Sequence, residues 1–507
     1  MKILSAEQIR AADAYTLEHE SIKSIDLMER AALACVEWIT YHFSEETKVI
    51  AICGMGNNGG DGLAISRLLH DKGHNVEVYI APYFSKASDD FSANRKKLED
   101  IKGIKVVEIS KAEEITISNE PTIIIDAILG SGLSKPVEGK VAELIQHINS
   151  LKCPIVAIDI SSGLMMEDNS KLDRKNIINA TATLTFEAPK LAFMFADNAQ
   201  HVGDLYILNI GIDKQFLSEQ KSLNHYITRE KIAATIHPRP KFSHKGNYGH
   251  ALLIAGSYGK MGAAVLAGKS CLRAGVGLLT MHIPKCGYWI VQVSVPEAMA
   301  SVDDEVEFFS GVKDISMFNA IGIGPGIGTD ESTEQGLKLL LQQVNAPIVL
   351  DADALNILAE NRTWLSFLPA GSILTPHPGE FARLAGRPAN SYEAYVMQKE
   401  FAVKHAVYLI LKGAYTSIAT PDGEVYFNST GNPGMATGGS GDTLTGIITS
   451  LLAQGYSKKQ AAIVGVYLHG LAGDIAANEM GENSLIAEDI TNCLGKAYKE
   501  IQTPAVY

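Results

Sequence analysis

A carboxylate set into a loop suited to anions is an uncomfortable arrangement, and the stretch NPGMATGGSGDTLTG at 432–446 contains one. Gly438, Gly439, Ser440 and Gly441 carry little or no side chain and run into Asp442 and an apolar-periodic segment, Leu444, Ile447, Ile448, Leu451 and Leu452. That pattern predicts a glycine loop feeding a helix N-terminus, where bare N–H groups and the helix dipole hold a phosphate. A fixed carboxylate about 4 Å from a phosphate costs roughly 4 kcal/mol at an effective dielectric of 20, so a loop built only to hold an anion would not carry one. Asp442 makes sense as a base that takes the proton of an attacking hydroxyl while the loop N–H groups absorb the developing charge. The plain alternative is an N-cap residue beside a tight glycine turn.

Other strand ends carry chemistry too. The buried-strand pattern Val49–Cys53 runs into GMGNNGGDG (54–62), which departs from a dinucleotide fingerprint by placing Asn57, Asn58 and Asp61 among its glycines. Ile123–Ile125 ends in Asp126 before AILGSGLSKP, and Ile155–Ile158 ends in Asp159 before ISSGL. In an open parallel sheet, ligands sit at the carboxyl ends of strands, where these three loops would converge. Each aspartate alone could equally cap the next segment. His377, held between Pro376 and Pro378 with Glu380 following, and Lys412, which ends an apolar strand before Gly413, mark two more such tips.

The elements that must position these groups alternate. Residues 5–43 read as helices, and buried strands and helices then succeed one another to the C-terminus, the pattern of mainly parallel α/β sheets. A helix rich in small residues is predicted over Gly262–Ala274, able to press close to a sheet or a ligand, though packing alone could explain the small residues. Periodicity lapses into polar residues at 216–226, which predicts a linker between domains 1–215 and 227–507.

Composition narrows the function. A chain of 507 residues with net charge −13 does not suit a nucleic-acid backbone or an anionic membrane surface. No apolar run is long enough to span a bilayer and the start turns polar too early for a signal peptide, so a cytoplasmic protein is expected. Six scattered cysteines without Cys-x-x-Cys predict reduced packing residues and no zinc site.

GMGNNGGDG, DAILGSGLSKP (126–136), DISSGL (159–164), APKLAF (188–193) and GDLYILNIGI (203–212) together resemble the NAD(P)H-hydrate epimerase domain over about residues 5–215. The resemblance implies a potassium ion held by Asn58, Asp126 and Ser162. It also implies a substrate pocket lined by Asn57, Asn58, Gly59, Gly60, Asp61, Gly130, Ser131, Gly132, Leu133, Ser134, Lys135, Pro136 and Asp159. Lys135 stands where that family commonly has arginine, and Ser161 where it commonly has proline. A hydrated nicotinamide carries its hydroxyl on the carbon beside the ring nitrogen, and its epimers interconvert when that bond opens and recloses. The chemistry needs one acid–base group, and Asp159 is the expected one, contributing to chemistry more than to packing.

The segments at 320–328, 348–358, 373–384 and 408–420, ending in 432–446, resemble the ADP-dependent NAD(P)H-hydrate dehydratases of the ribokinase-like superfamily over about residues 227–505. Implied by position, Ala263, Gly326, His377 and Asp442 contact the hydrated dinucleotide. Lys412, Gly413, Ala414, Tyr415, Thr416 and Gly441 contact the adenine nucleotide, with Gly438, Gly439 and Ser440 completing the anion loop. The implied step is kinase-like: the hydrate hydroxyl attacks the terminal phosphoryl of ADP, and phosphate then leaves as the dihydropyridine re-forms. Magnesium bridging the phosphates fits such a step.

The expected architecture is therefore α/β in two domains, an N-terminal Rossmann-like three-layer sandwich and a C-terminal ribokinase-like domain. The expected function is repair of hydrated NADH and NADPH, with ADP as co-substrate, by a homo-oligomer that contacts neither nucleic acid nor membrane. The competing reading is a ribokinase-like vitamin or alcohol kinase carrying a non-catalytic N-terminal binding domain.

Overall fold

The computed structural model describes residues 1–83, 86–117, 120–345 and 348–503, so the end of the expected dehydratase span, 504–507, lies outside the described residues. The chain divides into two compact units: Lys2–Ser222 with Asn390–Tyr392, and Leu223–Ala389 with Glu393–Tyr507 and Met1. The division falls inside the segment read as a linker. That segment is not without structure: it contains most of a helix, Lys214–Glu219, and a strand, Asn224–Tyr226. A three-residue half-buried edge strand is too short to leave a periodic signal.

In the first unit seven strands, β1 (Lys48–Cys53), β2 (Val76–Ile80), β3 (Lys105–Glu108), β4 (Thr122–Ala127), β5 (Ile155–Ile158), β6 (Ala182–Phe186) and β7 (Asp204–Leu208), form one sheet. They run in the order β3-β2-β1-β4-β5-β6-β7, all pairs parallel. Every residue of β4 is buried, because a parallel sheet is covered on both faces. The alternation of side chains shows the two faces directly. Val49, Ala51, Cys53, Ile123 and Ile125 enter one core with the helices Ser24–His42 and Asn57–Asp71, while Ile50, Ile52 and Ile124 enter another with the helix Gly139–Ser150. This is the three-layer sandwich expected. Strand order reverses between β1 and β4, the crevice where α/β sheets bind ligands.

The second unit holds ten strands: β8 (Asn224–Tyr226), β9 (His250–Ile254), β10 (Leu278–Ile283), β11 (Met299–Val302), β12 (Ala320–Ile323), β13 (Ile348–Leu350), β14 (Ile373–Leu374), β15 (Tyr408–Leu411), β16 (Ser417–Ala419) and β17 (Val425–Phe427). Their order is β11-β10-β9-β12-β13-β14-β15-β16-β17-β8, and only the pairs made by β16 are antiparallel. The helix Ser440–Ala453 is almost wholly buried and packs on the helix Met261–Arg273. A Cβ on Gly446 would come within 2.2 Å of the Ala267 carbonyl oxygen. Close helix packing thus accounts for small residues along this pair, the simpler of the explanations open from sequence.

Candidate active sites

At the β1/β4 switch point the first unit encloses a cavity of about 690 Å³. Asn57, Asn58, Asp61, Gly130, Ser131, Gly132, Leu133, Ser134, Lys135 and Asp159 all line it, so loops far apart in sequence converge there. Gly59, Gly60 and Pro136 do not line it. Gly59 is a packing residue: a Cβ there would lie 1.9 Å from the Gly54 carbonyl oxygen. A Cβ on Gly60 would likewise lie 2.9 Å from the Met28 sulfur.

Asp159 follows β5 in the left-handed region, φ 63°, a conformation that costs a non-glycine residue of order 1 kcal/mol and fixes the direction of its carboxylate. Lys190, only 1% exposed, donates to Asp159 and, at 2.6 Å, to the Thr185 hydroxyl. Three further carboxylates, Asp13, Asp61 and Glu187, line the same cavity. Burial above all, then Asp159, pushes Asp13 up to about 6, and burial with Asp159, Asp90 and Asp13 pushes Asp61 well above the usual range.

Asn58, Asp126 and Ser162 meet beside Leu129. Ser162 donates to Asp126 from its N–H at 2.8 Å and its hydroxyl at 2.5 Å, and Asn58 donates to the Leu129 carbonyl at 2.9 Å. Burial raises Asp126 to about 6. The Asn58 Oδ1 is buried with no hydrogen-bond partner among the described residues. An unpartnered amide oxygen beside a buried carboxylate is a donor set that a hard monovalent cation satisfies.

In the second unit the predicted helix N-terminus is present, but the N-cap is Gly439 at φ 92°, with Asp442 three residues on. The N-cap reading of Asp442 therefore fails. The N–H groups of Gly438, Gly439, Gly441 and Asp442 find no acceptor among the described residues, as an anion cradle requires. Asp442 is pushed up to about 7 by burial first, then by Asp351, Asp353 and Glu380, with Lys412 opposing. A helix N-terminus favours the carboxylate by only about 0.3–1 kcal/mol, so burial and three neighbouring acids outweigh it.

Lys412 is itself taken. Its ammonium bonds Asp351 at 3.0 Å, and Asp351 also accepts from Thr445 at 2.8 Å. A Cβ on Gly441 would lie 3.2 Å from the Lys412 Nζ, which puts that ammonium directly beside the loop. Asp353 pairs with Lys260 at 3.3 Å and accepts from the Gly328 N–H at 2.9 Å, and Gly326 packs on Ala263 and Lys260. His377 caps the helix Pro378–Ala385, its N–H donating to Glu380 at 2.8 Å. Gly413 and Thr416 close a turn through the Thr416 hydroxyl, and Ala414 and Tyr415 lie within it. His469, half-buried behind the loop and lowered to about 4 by desolvation, bonds the Ser440 carbonyl at 2.9 Å.

Sequence reasoning missed Asp13, Lys190, Asp351 and Thr445 as members of these sites. The signal available was a charged residue among apolar neighbours: Lys190 in APKLAF and Asp351 in IVLDADAL. Asp13 and Thr445 left none. The six cysteines are free, as expected.

The geometry stands beside three comparisons. A family model described as YjeF-related protein N-terminus matches residues 24–192, and one described as NAD(P)H-hydrate dehydratase matches 251–495. The chain is 35% identical to the bifunctional NAD(P)H-hydrate repair enzyme of Moorella thermoacetica, covering 99% of this chain and 97% of that protein. To its counterpart in Escherichia coli it is 30% identical, over 96% and 92%. Among solved structures, the ADP/ATP-dependent NAD(P)H-hydrate dehydratase from Bacillus subtilis, co-crystallised with ATP and magnesium, is 34% identical with TM-score 0.49, covering 55% of this chain and 98% of that one.

Proposed function

The chain belongs to the bifunctional NAD(P)H-hydrate repair enzymes, and from that premise we propose how its two units divide the reaction. The unit of Lys2–Ser222 interconverts the R and S hydrates, and the unit of Leu223–Ala389 with Glu393–Tyr507 dehydrates the S form with ADP. The fusion suits the chemistry, since a dehydratase that accepts one epimer needs the other converted first.

In the second unit Asp442 takes the proton of the hydrate hydroxyl, and the oxygen attacks the terminal phosphoryl of ADP, releasing AMP. The ring nitrogen then expels phosphate, a proton leaves the neighbouring carbon, and the dihydropyridine returns. Hydroxide is a poor leaving group from carbon and phosphate a good one. The observation that carries this reading is Asp442 itself: held near 7 beneath unpaired loop N–H groups, it is poised as a base at neutral pH. Lys412, beside Gly441, offers its ammonium to the phosphates, and Ala263, Gly326 and His377 border the hydrate. Among the described residues no cluster of three or more His, Cys, Asp or Glu forms a metal cage. A magnesium ion would therefore be held chiefly by the phosphates, with Asp351, Asp353 and Glu380 supplying nearby oxygens, and would neutralise phosphoryl charge.

In the first unit Asp159 moves the proton of the reacting hydroxyl. Asn58, Asp126 and Ser162 would hold potassium, whose charge would offset the buried Asp126 and brace the loop beneath the substrate. A homo-oligomer is also proposed, supported by Trp289, Val293 and Met299, which stand exposed on a helix and on the edge strand β11. Among the described residues no helix is long and apolar enough to cross a membrane, and a cytoplasmic setting, supported by the free cysteines, completes the proposal.

The test is to give the protein mixed hydrate epimers with ADP and follow the absorbance of the reduced nicotinamide together with AMP and phosphate. Stoichiometric recovery of dihydropyridine, AMP and phosphate from both epimers is the expected result. A stable phosphoester with no gain in absorbance would establish the kinase reading instead.

A further inference from the structure

Epimerisation at the carbon beside the ring nitrogen breaks a C–O bond on one face and makes one on the other. Protons are therefore handled on two faces, and a carboxylate fixed in one direction reaches only one of them. Asp159 is so fixed, by its left-handed backbone and by its bonds to Lys190 and Thr185.

We propose that Asp13, on the helix Ala6–His19, is the second catalytic carboxylate of this cavity, donating the proton that Asp159 is not placed to give. This rests on the epimerase reading above and adds a residue to it. Asp13 reaches the cavity from a different element than Asp159, and its carboxylate makes no hydrogen bond or ion pair with any described residue. It is therefore free to carry a proton, whereas Asp159 is compensated by a buried ammonium. The charges facing Asp13 are Asp159, Lys190, Glu187 and Asp61, with Arg10, Lys86 and Lys135 also on the cavity wall. Burial and the carboxylates win over Lys190 and hold Asp13 at about 6, a value suited to proton exchange near neutrality. Asp61, on the same cavity wall, is also pushed well above the usual carboxylate range, by burial first and then by Asp159, Asp90 and Asp13.

The step balances. Asp13 in its acid form protonates the hydroxyl, the C–O bond breaks with its electron pair leaving on water, and the ring nitrogen lone pair forms the C=N⁺ bond. Water adds to the opposite face and gives its proton to Asp159. That proton returns to Asp13 through solvent, so no reactant is consumed.

The test uses the full-length protein and one pure hydrate epimer without nucleotide, with the two forms separated by chromatography and melting curves to establish folding. Asp13→Asn is expected to slow equilibration by about 10²–10⁴. In the wild type, kcat/KM should fall as pH rises through about 6, the acid form of Asp13 being lost, and this limb should vanish in the residual activity of Asp13→Asn. An Asp13→Asn protein that equilibrates the epimers at the wild-type rate, or keeps the limb, overturns the proposal. Should that variant fail to fold, Asp13→Glu decides: a displaced limb with retained activity supports the proposal, and an unchanged limb overturns it. If the wild type itself does not equilibrate the epimers, it is the epimerase reading that falls.

Discussion

The two sites set similar groups, carboxylates and one lysine at the ends of parallel strands, to opposite uses. In the first unit the buried ammonium of Lys190 sits on Asp159, one of the carboxylates lining the cavity, and leaves Asp13 and Asp61 raised by burial. In the second, Lys412 sits on Asp351, which is buried behind the site, and leaves the loop carboxylate Asp442 without an ion-pair partner among the described residues. Where the ammonium lies decides which acid has a cation beside it and which is left to be raised by burial. A strained residue marks both arrangements, Asp159 at φ 63° and Ala352, next to Asp351, at φ 47°. The anion partners differ as well: side chains line the first site, while bare backbone N–H groups line the second, as phosphoryl transfer demands.

The sharpest break of this comparison is Asp442→Asn, expected to slow dehydration by about 10²–10⁴ while epimerisation continues unchanged. Rates with a pure S hydrate and with a pure R hydrate, measured on one preparation, check it. In the wild type, dehydration kcat/KM should fall about tenfold per pH unit below about 7, as the base is protonated.

Next comes the ion pair of the first unit. From sequence, a strand-tip aspartate promised little to stability, yet Asp159→Ala strands the buried Lys190 and should destabilise that unit by about 3–5 kcal/mol. Denaturant unfolding measures it, and a double variant with Lys190→Met should recover much of the loss. Equal losses in the single and double variants would mean that the pair contributes nothing through charge.

Lys412→Ala should weaken adenine-nucleotide binding by roughly 10–100-fold, the worth of a charge-assisted contact, and hydrate binding by less. Separate titrations decide it. Loss of Lys412 also removes a cation that lowers Asp442, so the acid limb of any residual dehydration should move upward.

The smallest expected effect is on stability. The native state holds the Asp442 proton up to about 7 and the unfolded chain only to about 3.8, so stability falls as pH rises through that window. Asp442→Asn should therefore be more stable than wild type at pH 8, by about 1–3 kcal/mol, and equal to it below about pH 4. Melting curves at both values test the sign.

The sequence by itself determined much of this. All-apolar strands such as Val49–Cys53 and Ile123–Ile125 can only be covered on both faces, and glycine loops ahead of apolar-periodic segments can only open helices. Local physics therefore placed GMGNNGGDG, Asp126, Asp159 and the 438–442 loop at strand and helix ends. Only the tertiary structure decided which charges meet. Lys190 lies 31 residues from Asp159 in sequence, and Asp351 bonds a threonine 94 residues away. Gly59 and Gly60 proved to be packing residues although they sit inside the motif. Electrostatic pairing and burial depend on distances across the fold, which no local pattern of residue types encodes.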